Sequence, residues 1–199
     1  MRRLSIVAAL AALVMAGEAA AQSTGTPVFL GPYRLFRSYE FGGSLSDPGG
    51  PGWALEGFYR FGWKKHDIGF RGGIADARNT DTRLLIGADF RTQVLTYSQS
   101  FPLDGAITLG LGANFGDPSD VGYVPIGLSL GRRLLLEGSQ TSFVPYVAPV
   151  LTPTFGDQDD LLVTLGVGVD IQFSRSLGIK VSGALGDLDG ISVSLSLLH

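Results

Sequence analysis

Residues 161–186, LLVTLGVGVDIQFSRSLGIKVSGALG, alternate between apolar side chains and small or polar ones with almost no exception. From Leu161 to Phe173 one parity is aliphatic and ends in an aromatic residue, whereas Thr164, Gly166 and Asp170 belong to the other parity. Such alternation is typical of β-strands whose two faces meet different surroundings. The stretch predicts strands at 161–173 and 177–186, and the surroundings of the apolar face then decide the fold.

The same alternation, interrupted by turn residues, recurs along the rest of the chain. Breakers such as SDPGGPG at 46–52 and GDQDD at 156–160 separate about ten candidate strands, of which the first spans 33–43 and the last 190–199. An even number is what a closed antiparallel barrel with both chain ends on one side requires. We therefore expect an all-β, up-and-down barrel of about ten strands, with eight as the other possibility.

The composition of the second face indicates which side of the sheet is wet. Only 17% of the chain is charged and it has three lysines, whereas soluble surfaces are roughly 25–35% charged. Glycine and serine fill the second face instead, and small residues suit the crowded interior of a narrow barrel. The sequence thus favours a transmembrane barrel with its apolar face outward. A soluble barrel with the faces reversed is the alternative.

The few charges on the second face fall into pairs. A three-residue turn from Ser174 to Ser176 places Asp170 opposite Lys180. A two-residue turn at Trp63 and Lys64 would set Arg60 opposite Asp67 and Glu56 opposite Arg71. Cross-strand charge pairs occur on exposed sheets as well. The expected ion pairs of the lumen involve Glu56, Arg60, Asp67, Arg71, Asp170 and Lys180.

Three features depart from the simple pattern. Arg37 shares the parity of Tyr39 and Phe41, and an arginine facing the bilayer centre costs about 2–4 kcal/mol, so we expect it near an interface. In 82–99 the apolar parity switches, which predicts a bulge near Thr92 or a strand break. Three prolines at every fourth position remove ladder donors from the predicted strand 142–155.

The N-terminus, MRRLSIVAALAALVMAGEAAAQS, has the features of an export signal. Two arginines precede a short apolar run and an A-x-A site, so we predict a signal peptide at 1–21, a short segment at 22–32 and a barrel at 33–199. Without residues 1–21 the chain keeps 13 basic and 17 acidic residues, a balance that argues against nucleic acid as a partner. It has no cysteine, which excludes disulfides and thiolate zinc sites.

The last strand, ISVSLSLLH at 191–199, completes a resemblance to the small bacterial outer-membrane barrels of the OmpA-like and OmpX-like group. The resemblance implies insertion into the outer membrane with both chain ends in the periplasm. It also implies outer-membrane lipid and, during biogenesis, the barrel-assembly machinery as partners. His199 stands where that group usually has a terminal aromatic residue. The sequence leaves the oligomeric state open.

The connections that this topology places outside the cell are rich in aspartate. A calcium or magnesium site is one interpretation, and the ordinary role of aspartate in turns is the simpler one. The weak candidates for such a metal site are Asp157, Asp159, Asp160, Asp187 and Asp189.

We find no catalytic constellation and no cofactor motif in the sequence. The two histidines, His66 and His199, are expected at the periplasmic end, away from the outer aspartates. GLGANFG at 110–116 lacks the spacing of a dinucleotide fingerprint. We therefore expect that the protein is not an enzyme. We expect an outer-membrane barrel with a structural or interaction role and a filled lumen. A narrow passive channel is one alternative, and a soluble periplasmic ligand binder is another.

Overall fold

The computed structural model describes residues 23–49, 52–77, 81–99, 101–157 and 159–199. The predicted signal peptide, 1–21, lies outside the described residues. No helix in these ranges is long and apolar enough to cross a membrane. The strands are β1 Tyr39–Asp47, β2 Gly52–Trp63, β3 His66–Ala77, β4 Arg83–Leu95, β5 Asp104–Phe115, β6 Val121–Tyr123, β7 Ile126–Gly131, β8 Leu134–Leu135, β9 Ser142–Gly156, β10 Leu161–Gln172, β11 Leu177–Gly186 and β12 Gly190–Leu198.

These strands form one closed antiparallel barrel. From β1 to β5 and from β9 to β12 each strand pairs with the next, and β12 pairs with β1. The short strands β6 and β7 lie between β5 and β9, and β8 pairs with β9, so the ring is closed. The short strands β6, β7 and β8 keep a single register against β9, so they are one strand interrupted at Val124–Pro125 and again before Leu134. The barrel therefore has ten strand positions, as the alternation predicted.

The apolar parity faces outward. In β12 the side chains of Ile191, Val193 and Leu195 are 55%, 49% and 52% exposed, whereas the serines between them are buried. Val163, Leu165, Val167 and Val169 follow the same rule, because the buried residues of β10 are Leu162, Thr164, Gly166 and Asp170. Soluble monomers rarely expose so continuous an apolar surface. The reversed arrangement, with the apolar face inside, is thus wrong.

Exposed aromatic residues mark both ends of the barrel. We call the end where β1 begins and β12 ends the C-terminal rim; the opposite end, which carries the aspartate-rich connections, is the acidic rim. Aromatic residues near the C-terminal rim include Phe61, Trp63, Phe101 and Phe173, and those near the acidic rim include Trp53, Phe115 and Phe155. Two aromatic girdles around an aliphatic band are the exterior expected of a membrane barrel.

One predicted register is correct and one is wrong. Asp170 lies opposite Lys180, as the three-residue turn required. Between β2 and β3, however, the turn is at Lys64–Lys65, so Trp63 pairs with His66 and Arg60 lies opposite Gly69 instead of Asp67. Lys64 has a φ of 54°, the left-handed conformation found in the two-residue turns that match strand twist.

The other irregularities lie where the sequence placed them. The β4–β5 register shifts between Gln93 and Leu95, which is the predicted bulge. Arg37 precedes β1 at the C-terminal rim, where its backbone N–H donates to the carbonyl of His199 at 3.1 Å. The arginine is therefore at an end of the barrel and not at the bilayer centre.

The prolines of β9 weaken one seam of the barrel. The carbonyls of Pro145 and Pro153 accept bonds from Arg132 N and Val124 N, so these prolines face the interrupted strand β6–β8. Pro149, midway between them, faces the same side because residues an even number apart share a direction. Proline has no N–H and so cannot donate a hydrogen bond back to the neighbouring strand. The strand that loses these hydrogen bonds is β6–β8, which is the interrupted one.

Candidate functional site

The interior of the barrel is occupied by the chain itself. Residues 23–37, which we call the lumen segment, descend from the acidic half of the barrel to the C-terminal rim before β1 begins at Tyr39. Ser23 lies beside Gly112 near the acidic end, and Leu35 and Phe36 pack with Val144 and Leu198 at the other. The strand predicted at 33–43 therefore begins later, and its first residues belong to the lumen segment.

Hydrogen bonds fix the lumen segment to the barrel wall along its length. Thr26 Oγ1 donates to Glu56 Oε2 at 2.7 Å, and Ser182 Oγ donates to the carbonyl of Pro27 at 2.7 Å. Tyr146 OH donates to the carbonyl of Phe29 at 3.1 Å. Arg91 Nη1 donates to the carbonyls of Gly31 and Tyr33, both at 2.7 Å. The wall thus supplies the backbone partners that an irregular buried segment needs.

The glycines of the inner face leave the space that the lumen segment fills. A Cβ on Gly112 would lie 1.9 Å from the carbonyl oxygen of Ser23, and one on Gly166 would lie 2.4 Å from the Phe29 ring. The Phe29 ring packs in a buried cluster with Tyr146, Ala148, Val150, Ala184 and Leu188. The sequence predicted small lumen residues, but it did not reveal what they accommodate.

A buried network of charged side chains lies on the inner face of the barrel wall, beside the lumen segment. Arg60 contacts Asp67 Oδ1 at 2.6 Å, Glu40 Oε1 at 3.5 Å and the carboxylate of Asp89. Arg91 Nη2 contacts Asp67 Oδ2 at 2.9 Å. Arg71 completes the network, with Nη1 3.9 Å from Glu56 Oε2 and Nε 3.8 Å from Asp89 Oδ2. Charges removed from water are tolerated when they are paired in this way.

The structure arranges the predicted lumen charges differently from the sequence analysis. Arg60 with Asp67 and Arg71 with Glu56 do meet, but diagonally across the corrected register. Lys180 Nζ contacts Glu40 Oε1 at 2.6 Å, and no salt bridge of Asp170 is found among the described residues. The ion-pair prediction omitted Glu40, although its inward parity between Tyr39 and Phe41 was visible in the sequence.

The aspartates of the acidic rim act mainly as turn acceptors. Asp157 Oδ2 accepts from Asp120 N at 2.8 Å, Asp160 Oδ1 from Leu161 N at 2.8 Å, and Asp187 Oδ2 from Val163 N at 2.6 Å. Asp189 Oδ1 lies against Gly49, and Asp159 is exposed. Among the described residues no group of three or more acidic or histidine side chains is arranged to hold a metal. A divalent-ion site at these candidates stays a prediction.

The C-terminal rim gathers the two histidines and the end of the lumen segment. His199 stacks on Tyr39 with ring centroids 4.6 Å apart, and His66 stacks on Phe90 at 5.7 Å. Burial raises the pKa of the Tyr33 hydroxyl to about 12, and its hydrogen bond to Asp104 Oδ2 acts in the same direction. Tyr33 therefore remains a neutral donor that anchors the lumen segment at this rim.

The apolar exterior, the two aromatic girdles and the closed ring of strands define a transmembrane β-barrel. No family model matches the chain, and no curated protein matches it. Among solved structures, the chain is similar to the β domain of the Bordetella autotransporter BrkA, with 12% identity and a TM-score of 0.48. The match covers 82% of this chain and 100% of that domain. This similarity concerns the fold alone, and the OmpA-like or OmpX-like grouping stays a prediction.

Proposed function

We propose that the chain is an integral protein of the bacterial outer membrane with a structural or interaction role and a closed lumen. The observation that carries the proposal is the lumen segment, which lies where a permeation path would run. No catalytic step is part of the proposal. The barrel contributes a rigid wall and two rims of opposite composition, and the rims are the surfaces on which a partner would act.

The charge on the wall supports a closed lumen. Arg60 and Arg91 form close ion pairs with carboxylates, and Arg91 also donates to carbonyls of the lumen segment. Arg71 lies 3.8–3.9 Å from two carboxylates. A conducting barrel of this size needs free volume beside such side chains. The narrow-channel alternative has less support because backbone and apolar side chains occupy that volume.

Planar-bilayer conductance of the full-length purified protein tests the proposal. We expect no reproducible open level. A variant lacking residues 24–36 is the positive control, because its lumen would keep the wall charges without the segment that covers them. Circular dichroism would verify that the variant keeps its β-structure. A stable open level from the intact protein would refute the closed lumen and favour the channel.

Membrane fractionation tests the location separately. The protein expressed with residues 1–21 is expected in the outer-membrane fraction and soluble only in detergent. Recovery as a detergent-free monomer would contradict the proposed location.

A further inference from the structure

A cavity of about 310 Å³ opens at the C-terminal rim between the lumen segment and the β2–β3 turn. Its lining includes the cationic side chains of Arg34, Arg37, Lys64, Lys65 and Arg91, and one carboxylate, Asp67. Arg37, Lys64 and Lys65 are exposed, so the cavity is open to solvent. An entrance of this composition is suited to an anion.

The single carboxylate of the cavity is already neutralised. Asp67 Oδ1 accepts from Arg60 Nη1 at 2.6 Å and Oδ2 from Arg91 Nε at 3.0 Å. Arg34, Arg37, Lys64 and Lys65 form no ion pair with any acidic residue of the described ranges. Four cations thus line one cavity, and none of them has an ion-pair partner among the described residues.

A second groove lies on the lipid-facing side of the same hairpin. Its volume is about 340 Å³, and Phe61, Trp63, Ile68 and Phe90 line it together with His66. Asp67 borders both the basic cavity and this groove. The basic cavity and the apolar groove therefore lie back to back across one short hairpin, at the level of an aromatic girdle.

We propose that the C-terminal rim binds one anionic phospholipid of the adjacent leaflet. The phosphate of the headgroup occupies the basic cavity, and an acyl chain lies in the apolar groove outside the hairpin. Lysine and arginine provide the charge-assisted donors that phosphate prefers. The apolar groove favours a lipid over a free phosphate ion, which would use only the cavity. The inference rests on the proposed membrane location.

Native mass spectrometry of the full chain with dioleoylphosphatidylglycerol in detergent tests the site. We expect one retained lipid per chain. The variant Arg37→Gln/Lys65→Gln removes two exposed cations of the cavity and should weaken apparent affinity about tenfold or more. Arg132→Gln/Arg175→Gln is the matched control, because it removes the same charge near the same rim from positions that do not line the cavity.

Each outcome decides the proposal. Loss of the lipid in the cavity variant with retention in the control supports it. Equal loss in both variants would indicate general attraction to a basic rim, and no loss in either would indicate another site; both overturn it. Complete displacement of the lipid by excess inorganic phosphate would assign the cavity to the free ion and overturn the lipid assignment. A barrel that needs detergent but retains no lipid would refute this inference and leave the proposed function standing.

Discussion

At the scale of single residues, Arg60 is the centre of the buried charge network. Its guanidinium contacts the carboxylates of Glu40, Asp67 and Asp89, and its side chain is only 4% exposed. The three carboxylates come from three different strands, so one side chain connects β1, β3 and β4 from its position on β2. Removing the guanidinium leaves buried negative charges close to one another without their counter-ion.

We expect Arg60→Gln to lower the free energy of unfolding by about 3–5 kcal/mol, because breaking a buried ion pair leaves an uncompensated charge. Denaturant unfolding of the protein in lipid vesicles measures the change. Arg175→Gln, in the exposed turn before β11, is the control and should change stability by less than about 0.5 kcal/mol. Similar unfolding midpoints for the two variants would show that the network does not stabilise the barrel.

The sequence predicted the character of these residues better than their contacts. Inward parity followed from alternation, and opposite charges on neighbouring strands indicated pairing. The contacts depend on register, however, and a shift of the β2–β3 turn by one residue moves Arg60 from Asp67 to Gly69. The long side chain of Arg60 still reaches Asp67 diagonally. A prediction from register considers only directly opposite residues and does not include such diagonal contacts.

At the scale of elements, the seam between β9 and the interrupted strand β6–β8 is the weakest part of the wall. Pro145, Pro149 and Pro153 face this strand without donors, and the strand breaks at Pro125. On its other side β9 pairs with β10 continuously from Ser142 to Pro153. The prolines of β9 therefore remove hydrogen bonds to β6–β8 and leave the pairing with β10 continuous.

Amide hydrogen exchange should show this difference. We expect the amides of β7, Ile126–Gly131, to exchange faster than those of β11, Leu177–Gly186, which has an unbroken partner on each side. Fewer cross-strand bonds lower the free energy of local opening. Equal protection of β7 and β11, measured in the same vesicles, would argue against a weak seam.

The strands themselves were predictable, and the lumen segment was not. Strand alternation reports two environments with period 2, and it identified the ten strand positions and the bulge in β4. Most of the lumen segment, residues 23–32, is enclosed by Tyr146, Arg91 and the inner glycines, so no period marks it. The hydrogen-bond partners of its backbone lie on strands that are distant in the sequence. A buried irregular segment therefore has no local pattern and looks like a loop in the sequence.

At the scale of the whole molecule, the two rims differ in charge. Aspartates dominate the acidic rim, whereas Arg34, Arg37, Lys64 and Lys65 cluster around the cavity at the C-terminal rim. Between the rims the exterior is aliphatic, and the interior holds the lumen segment and the ion network. A membrane would solvate this exterior, and without one the aliphatic band would remain exposed to water.

Lipid-quenched fluorescence along β12 tests this outward orientation most directly. The chain has no cysteine, so single cysteines placed in turn at positions 191–197 can carry a small fluorophore in vesicles that contain brominated lipid. We predict strong quenching at Ile191, Val193, Leu195 and Leu197, and weak quenching at Ser192, Ser194 and Ser196. Quenching at the serine positions, or quenching without alternation, would contradict the account.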